Sequence, residues 1–324
     1  MILLARSERV KALAQRQSWL SGLASRFVCG GTPDDAIGRA VALAHGGITA
    51  SMFYLGEYVT DAGLIRQTCD QLASVIATAG AKSLDVCVSC DPTQIGLMAN
   101  QDDFVSNART LARAILAAAP NPRPGHDTLM IDMEDAGVTQ STLDAYWTLH
   151  DEGLPVAVTI QAYLHRTRTD LDRLVDAGAW VRLVKGAFAE PARVAVRSTA
   201  DRDSRFRQCV SRLLSDTART SGVYPSFATH DHRMIEEIIA QAEAHGWGPE
   251  TYEFEFLYGV RPDLERSLVK RGHRVRLYLP FGRDWFPYAI RRVGESPRNM
   301  RFVAKTLGRH GVERNEPRGD TVHA

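Results

Sequence analysis

Cysteine is scarce in this chain, long apolar runs are absent, and neither sign of charge is in excess. The five cysteines among 324 residues, Cys29, Cys69, Cys87, Cys90 and Cys209, are too few and too scattered for a disulfide framework. Cys87 and Cys90 form a C-x-x-C, yet they lie in an extended run (84–90), where residues three apart face opposite sides. No second C-x-x-C and no H-x-x-x-H accompanies it, so buried structural thiols are expected, with no metal site. No stretch approaches the roughly 18 apolar residues of a membrane span. The longest candidate, 111–120, is short and contains Arg113. Lys and Arg total 39 against 38 Asp and Glu, a net charge of +1, which argues against a nucleic-acid partner. The N-terminal stretch meets Arg6 and Glu8 before any hydrophobic region develops, so it does not read as a secretory signal and the cytoplasm is the expected location.

What is present is a rhythm. The first 45 or so residues have helical spacing of Leu13, Leu20, Leu23 and Phe27, and Pro33 suits the first turn of a helix over 35–44. Then eight short apolar runs follow, near 47–51, 84–90, 129–133, 155–162, 181–186, 224–228, 252–256 and 275–279. Amphipathic segments separate them, at 64–79, 103–119, 141–152, 169–177, 203–221, 233–245 and 262–271. Gly80, Gly153, Gly178, Gly222, Gly246 and Gly272 stand where helix stops are needed. Strand–helix alternation repeated eight times predicts an α/β fold, a distorted (β/α)8 barrel of the TIM type with extra N-terminal helices. An open doubly wound sheet is the alternative, but no G-x-G-x-x-G follows the first strand. The expected organisation is a helical segment over 1–45, a catalytic barrel over 46–312 and a disordered polar tail over 313–324.

In such a barrel the chemistry sits at the C-terminal strand ends. Those ends carry Glu57, Asp91, Asp132, Gln161, Arg182 with Lys185, Thr229 with His230, Glu255 with Tyr258, and Tyr278. Such a ring of polar residues reads as an active site. For Thr229, Asp231 and Asp135 taken singly, capping of loops and helices is at least as good a reading. Arg182 and Lys185 are an odd number apart, so a twist or bulge, which Gly186 permits, is needed to aim both inward. The alternative is a salt bridge to a neighbouring carboxylate. Arg291-Arg292 could recognise a carboxylate bidentately, or form a solvated helix face with Glu295 one turn on.

The runs Val181-Arg-Leu-Val-Lys-Gly-Ala187, Phe227-Ala-Thr-His-Asp231, Tyr252-Glu-Phe-Glu-Phe-Leu-Tyr-Gly259 and Tyr278-Leu-Pro-Phe-Gly-Arg-Asp-Trp285 followed by Arg291-Arg292 resemble the proline dehydrogenase family in order and spacing. Ile131-Asp-Met-Glu-Asp135, Ile160-Gln-Ala-Tyr163 and Leu55-Gly-Glu57 fit as well. The resemblance covers roughly 46–299. It implies a barrel that holds FAD without a covalent bond and oxidises L-proline to Δ1-pyrroline-5-carboxylate by hydride transfer to flavin N5. Electrons then pass to a quinone or another acceptor, which implies a cytoplasmic enzyme that can work peripherally at the inner face of the membrane. Oligomeric state is open.

Residue by residue, the resemblance implies that Arg182 polarises the flavin, that Gln161 bonds its polar edge and that Met133 lies along it. Lys185, Gly186, Ala187, Thr229, His230 and Glu295 would complete the cofactor set. Tyr278 and Leu257 would shape the substrate pocket, with Asp132 organising the charges beneath. Arg291 and Arg292 would clamp the substrate carboxylate, and Glu57 would pair with Arg291 as a gate. Two positions depart from the family pattern. Val88-Ser89-Cys90-Asp91 puts an aspartate where V-S-x-K has lysine, and Tyr252-Glu253-Phe254-Glu255 puts a glutamate where F-E-F-Q has glutamine. Both make the site more acidic. They keep open a related cyclic or basic amino acid with an extra amine or hydrazine nitrogen as substrate, and, from another class, a flavin-binding barrel without turnover.

Overall fold

A computed structural model describes residues 26–294. Residues 29–283 form one compact unit; the described residues 26–28 and 284–294 belong to another. The first unit is a closed barrel of eight parallel strands in sequence order. The strands are β1 (Thr49–Tyr54), β2 (Cys87–Cys90), β3 (Thr128–Ile131), β4 (Val156–Gln161), β5 (Trp180–Val184), β6 (Tyr224–Ala228), β7 (Glu253–Leu257) and β8 (Arg274–Phe281). The β1–β8 pairing from Thr49↔Arg276 to Tyr54↔Phe281 closes the ring. The helices are α1 (Pro33–Ala44), α2 (Ala62–Ala81), α3 (Gln101–Ala118), α4 (Thr139–Asp151), α5 (Thr167–Asp176), α6 (Thr199–Leu213), α7 (Asp216–Ser221), α8 (His232–Ala244) and α9 (Pro262–Lys270). The tenth, α10 (Trp285–Gly294), lies in the second unit. The (β/α)8 expectation holds. The helical expectation for 1–25 and the tail at 313–324 lie outside the described residues.

Most local signals act as read. Thr32 caps α1 in a reciprocal box with Asp35, placing Pro33 in the first turn. Gly153, Gly178, Gly222, Gly246 and Gly272 all take left-handed φ, between 66° and 85°. Gly80 does not stop its helix: α2 runs on to Ala81. A Cβ at Gly80 would lie 2.9 Å from both the Cβ and the carbonyl oxygen of Ala118 at the end of α3, so this glycine serves the close crossing of two helices. The segment expected as one helix over 203–221 is two, because Ser215 accepts from the Ala218 N–H and starts α7. β1 runs three residues further than its expected end at 51.

The sheet sorts residues by alternation. Cys90 packs outward into the large core between strands and helices, while Cys87 packs inside the barrel with Met130, Ala157, Trp180 and Tyr224. All five cysteines are free thiols.

Candidate active site

Strands β1, β3, β5 and β7 aim Ser51, Asp132, Arg182 and Glu255 at the barrel axis, the alternate-strand layer that barrel geometry produces. Arg182 lies at its centre and is only 3% exposed. Its Nε and Nη2 donate to the two carboxylate oxygens of Glu255, each at 2.6 Å. Nη1 donates to Asp132 Oδ1. Nη2 also reaches Ser51 Oγ and Ser89 Oγ, each at 3.1 Å. These bonds use four of the five guanidinium N–H groups and leave one, on Nη1.

Asp132 takes two further bonds, from Thr159 Oγ1 and from the Tyr278 hydroxyl, both at 2.9 Å. The Tyr278 ring lies 5.3 Å from the guanidinium carbon and 5.1 Å from the Phe53 ring. Leu257 pairs in register with Tyr278, so the two stand side by side at the C-terminal rim. Burial alone would depress the Arg182 pKa; the Glu255 and Asp132 carboxylates outweigh it and raise the value. Burial pushes the Glu255 carboxyl up while the guanidinium pulls it back. Two short charge-assisted bonds to a permanently cationic group make this an ion pair.

Below this layer lies a second one, which sequence reading missed. Arg276 is fully buried and bonds Glu253 through Nε at 3.0 and 3.1 Å. Its other nitrogens reach the Ala50 carbonyl at 3.0 Å, the Gly125 carbonyl at 2.6 Å and Asp85 at 3.3 Å. Ser226 donates to Glu253 at 2.6 Å and accepts from the Trp180 indole at 2.8 Å. The available signal was alternation: Arg274-Val-Arg-Leu-Tyr278 and Glu253-Phe-Glu255 place charges at every second position of buried strands.

The remaining expected residues are distributed as follows. The bulge that would turn Arg182 and Lys185 the same way does not form. β5 ends at Val184, and Lys185 lies past it, donating to Asp203 of α6 at 2.6 Å with Asp231 at 3.6 Å. Gly186 has φ 106°, and a Cβ there would lie 2.1 Å from the Tyr163 ring. Ala187 is exposed beyond it. Gln161 is buried at the end of β4, its amide donating to the Glu134 carbonyl at 2.8 Å. His230 Nε2 accepts from the Leu257 N–H at 3.0 Å, which leaves Nδ1 as the protonated nitrogen. Asp231 caps α8, and Thr229 Oγ1 accepts from the Asp231 N–H, so capping is realised here. Asp135 accepts from the Gly137 N–H and the Tyr58 hydroxyl.

Met133, two residues past β3, is buried against the strand–helix core. Asp91 directly follows Cys90, whose carbonyl accepts from the Asp132 N–H, so Asp91 and Asp132 occupy neighbouring register positions. Pro92 does not open a helix; a run of turns follows, and α3 begins after its cap at Asn100. Glu57 is exposed in the loop after β1. Arg291 and Arg292 occupy the last turn of α10, where Arg292 lies 5.3 Å over the Tyr288 ring. Glu295 lies outside the described residues.

One more donor stands at this end of the unit. Arg202, in the first turn of α6, has its guanidinium 5.0 Å over the Tyr163 ring, and its buried Nε–H has no acceptor. With Lys185 and His230 it forms a set of donors near the ends of β5 and β6, which suits an anionic cofactor.

A family model for proline dehydrogenase matches residues 36–305. Over 309 residues the chain is 35% identical to a proline dehydrogenase of Deinococcus radiodurans, covering 95% of this chain and 96% of that protein. It is 33% identical over 293 residues to proline dehydrogenase 2 of Bacillus subtilis, covering 90% of this chain and 92% of the relative. Among solved structures, proline utilization A from Bdellovibrio bacteriovorus, inactivated by N-propargylglycine, matches with a TM-score of 0.76 at 22% identity. That match covers 84% of this chain but 32% of the longer protein, and it speaks for the fold alone.

Proposed function

The chain belongs to the proline dehydrogenase family, and on that premise we propose that it oxidises L-proline to Δ1-pyrroline-5-carboxylate at the upper end of its barrel, using FAD held without a covalent bond. The observation that carries the reading is the buried chain Glu255–Arg182–Asp132–Tyr278, which rises along the barrel axis to the C-terminal strand ends. Barrel enzymes place their chemistry at that end.

The residues present fit the cofactor. Arg202 has a buried N–H without an acceptor, Lys185 is a half-buried cation at the end of β5, and His230 stands past the end of β6. We assign these three, with the backbone at Gly186, to its phosphates and ribityl chain, and Gln161 to the polar edge of its ring. FAD, when bound, supplies the acceptor for the hydride that leaves the carbon next to the proline nitrogen. The chain's own part is orientation. Tyr278, fixed by its bond to Asp132, and Leu257 beside it form the wall against which the substrate ring rests. Arg182 presents its remaining N–H from below. Arg291 and Arg292 are assigned to the substrate carboxylate, and Glu57 to gating, from the resemblance.

A second reading draws on Asp91, whose register position beside Asp132 adds a carboxylate near this layer. That favours a substrate with one more basic nitrogen. Anaerobic addition of amino acids to FAD-loaded protein separates the readings. Bleaching by L-proline supports the first, and bleaching only by hydrazine-type or diamino acids supports the second. A bound flavin that none of them reduces leaves a binding barrel without turnover. Among the described residues no helix is long and apolar enough to cross a membrane. The proposed acceptor, a quinone or another carrier, would be met at the membrane surface.

A further inference from the structure

The upper layer holds one guanidinium between two carboxylates. Glu255 is 2% exposed and engages Arg182 through both oxygens, while Asp132 takes the third side of the same fork. Nothing in a barrel's closure requires a charge at this position of β7; Ser51 and Ser89 at the same level are neutral hydroxyls bonded to each other at 2.8 Å. A neutral amide of the same shape would still accept one bond from Arg182. The carboxylate does two things that an amide cannot: it locks the fork in a single bidentate orientation, and it adds a second negative charge beside the guanidinium.

We propose that Glu255 is a positioning residue that clamps Arg182 and turns the neutral Arg182–Asp132 pair into a net-anionic cluster beneath a flavin held over the barrel mouth. The inference rests on the flavin reading above. Reduction adds negative charge to a flavin, and net negative charge nearby opposes it. With Asp132 also present, the cluster Arg182–Glu255–Asp132 has a net charge of about −1, counting one cation and two carboxylates. Glu255 therefore holds the bound flavin harder to reduce than an amide at the same place would.

The test is the midpoint potential of FAD-loaded protein, followed by spectroscopic titration against a reference dye. Glu255→Gln is expected to raise the equilibrium constant for two-electron reduction on the order of tenfold, about 30 mV. Glu255→Asp, which keeps the charge, should stay within about threefold of the wild type. The double variant Arg182→Met/Glu255→Leu removes both charges together, and its equilibrium constant for reduction should likewise stay within about threefold of the wild type. It also decides the matter where Glu255→Gln does not fold. A double variant whose equilibrium constant for reduction falls about tenfold, about 30 mV, would show that Arg182 had acted as an uncancelled cation, and the inference would be wrong. A Glu255→Gln protein that binds FAD with an unchanged potential overturns it equally. Wild-type protein that takes up no FAD overturns the flavin reading and this inference together.

Discussion

The barrel interior contains two arginines, each fully enclosed and each bound to a glutamate of β7, yet the two layers serve opposite ends. Arg276 is bonded to Glu253, Asp85 and two backbone carbonyls, one from β1 and one from the loop before β3. Every partner belongs to the fold itself, and the loop carbonyl of Gly125 closes the lower end over it. Arg182 also has a glutamate, but its second carboxylate, Asp132, connects to Tyr278 at the rim. The same pair of residue types is a plug where its partners lie within the fold's lower end and part of the candidate site where one partner reaches the mouth. Conserving fold at the bottom and chemistry at the top is the division of labour expected of this architecture.

The largest expected effect is at the plug. Arg276→Met strands Glu253 and Asp85 and should cost about 3–5 kcal/mol of stability, read by denaturant unfolding. Equal destabilisation together with selective loss of substrate affinity would erase the distinction between layers. Next comes Ser226→Ala, which removes a partner of both Glu253 and the Trp180 indole. It should cost about 1–3 kcal/mol while kcat/KM for proline stays unchanged. Tyr278→Phe makes the mirror-image cut in the upper layer. It should cost only about 0.5–1.5 kcal/mol of stability and lower kcat/KM roughly tenfold; a fall in stability without a fall in turnover would place Tyr278 with the plug.

The last test is a pH slope near the mouth. Glu134 is buried where it accepts from the Thr93 N–H at 2.8 Å and hydroxyl at 2.6 Å. Burial pushes its pKa from 4.5 up to about 7, although the Thr93 bonds pull the other way. The folded protein then holds a proton that the unfolded chain has released, so this group's contribution to stability falls as pH rises from about 4.5 to 7 and levels off above. Glu134→Gln should remove that slope in urea midpoints measured across the window.

The sequence made the barrel readable because its signals are local. Thr32 with Asp35, the left-handed glycines after α4, α5 and α8, and the eight apolar runs each act over a few residues. Gly80 misled for the converse reason: what it accommodates is Ala118, thirty-eight positions away on another helix. Arg182 and Asp132 stood out as candidate site residues from strand ends and from resemblance. Their true partners were less so, because Glu255 meets Arg182 across the barrel from a strand two places on, a separation of 73 residues. Arg276 escaped notice because it stands two residues before Tyr278 on the same inward face, below the level where strand ends draw attention.

The splitting of Cys87 and Cys90 across the sheet has a use as a clock. Cys87 is sealed inside the barrel and Cys90 beneath the helices, and burial raises both thiol pKa values, that of Cys87 to about 11. Neither sulfur is open to an alkylating reagent in the closed state, so each reacts only when its own compartment opens. If the helical jacket lifts from the strands before the cylinder itself parts, Cys90 is labelled ahead of Cys87, and mass spectrometry of one short peptide reads out the order. Two sulfurs three residues apart thus time the breathing of two separate compartments.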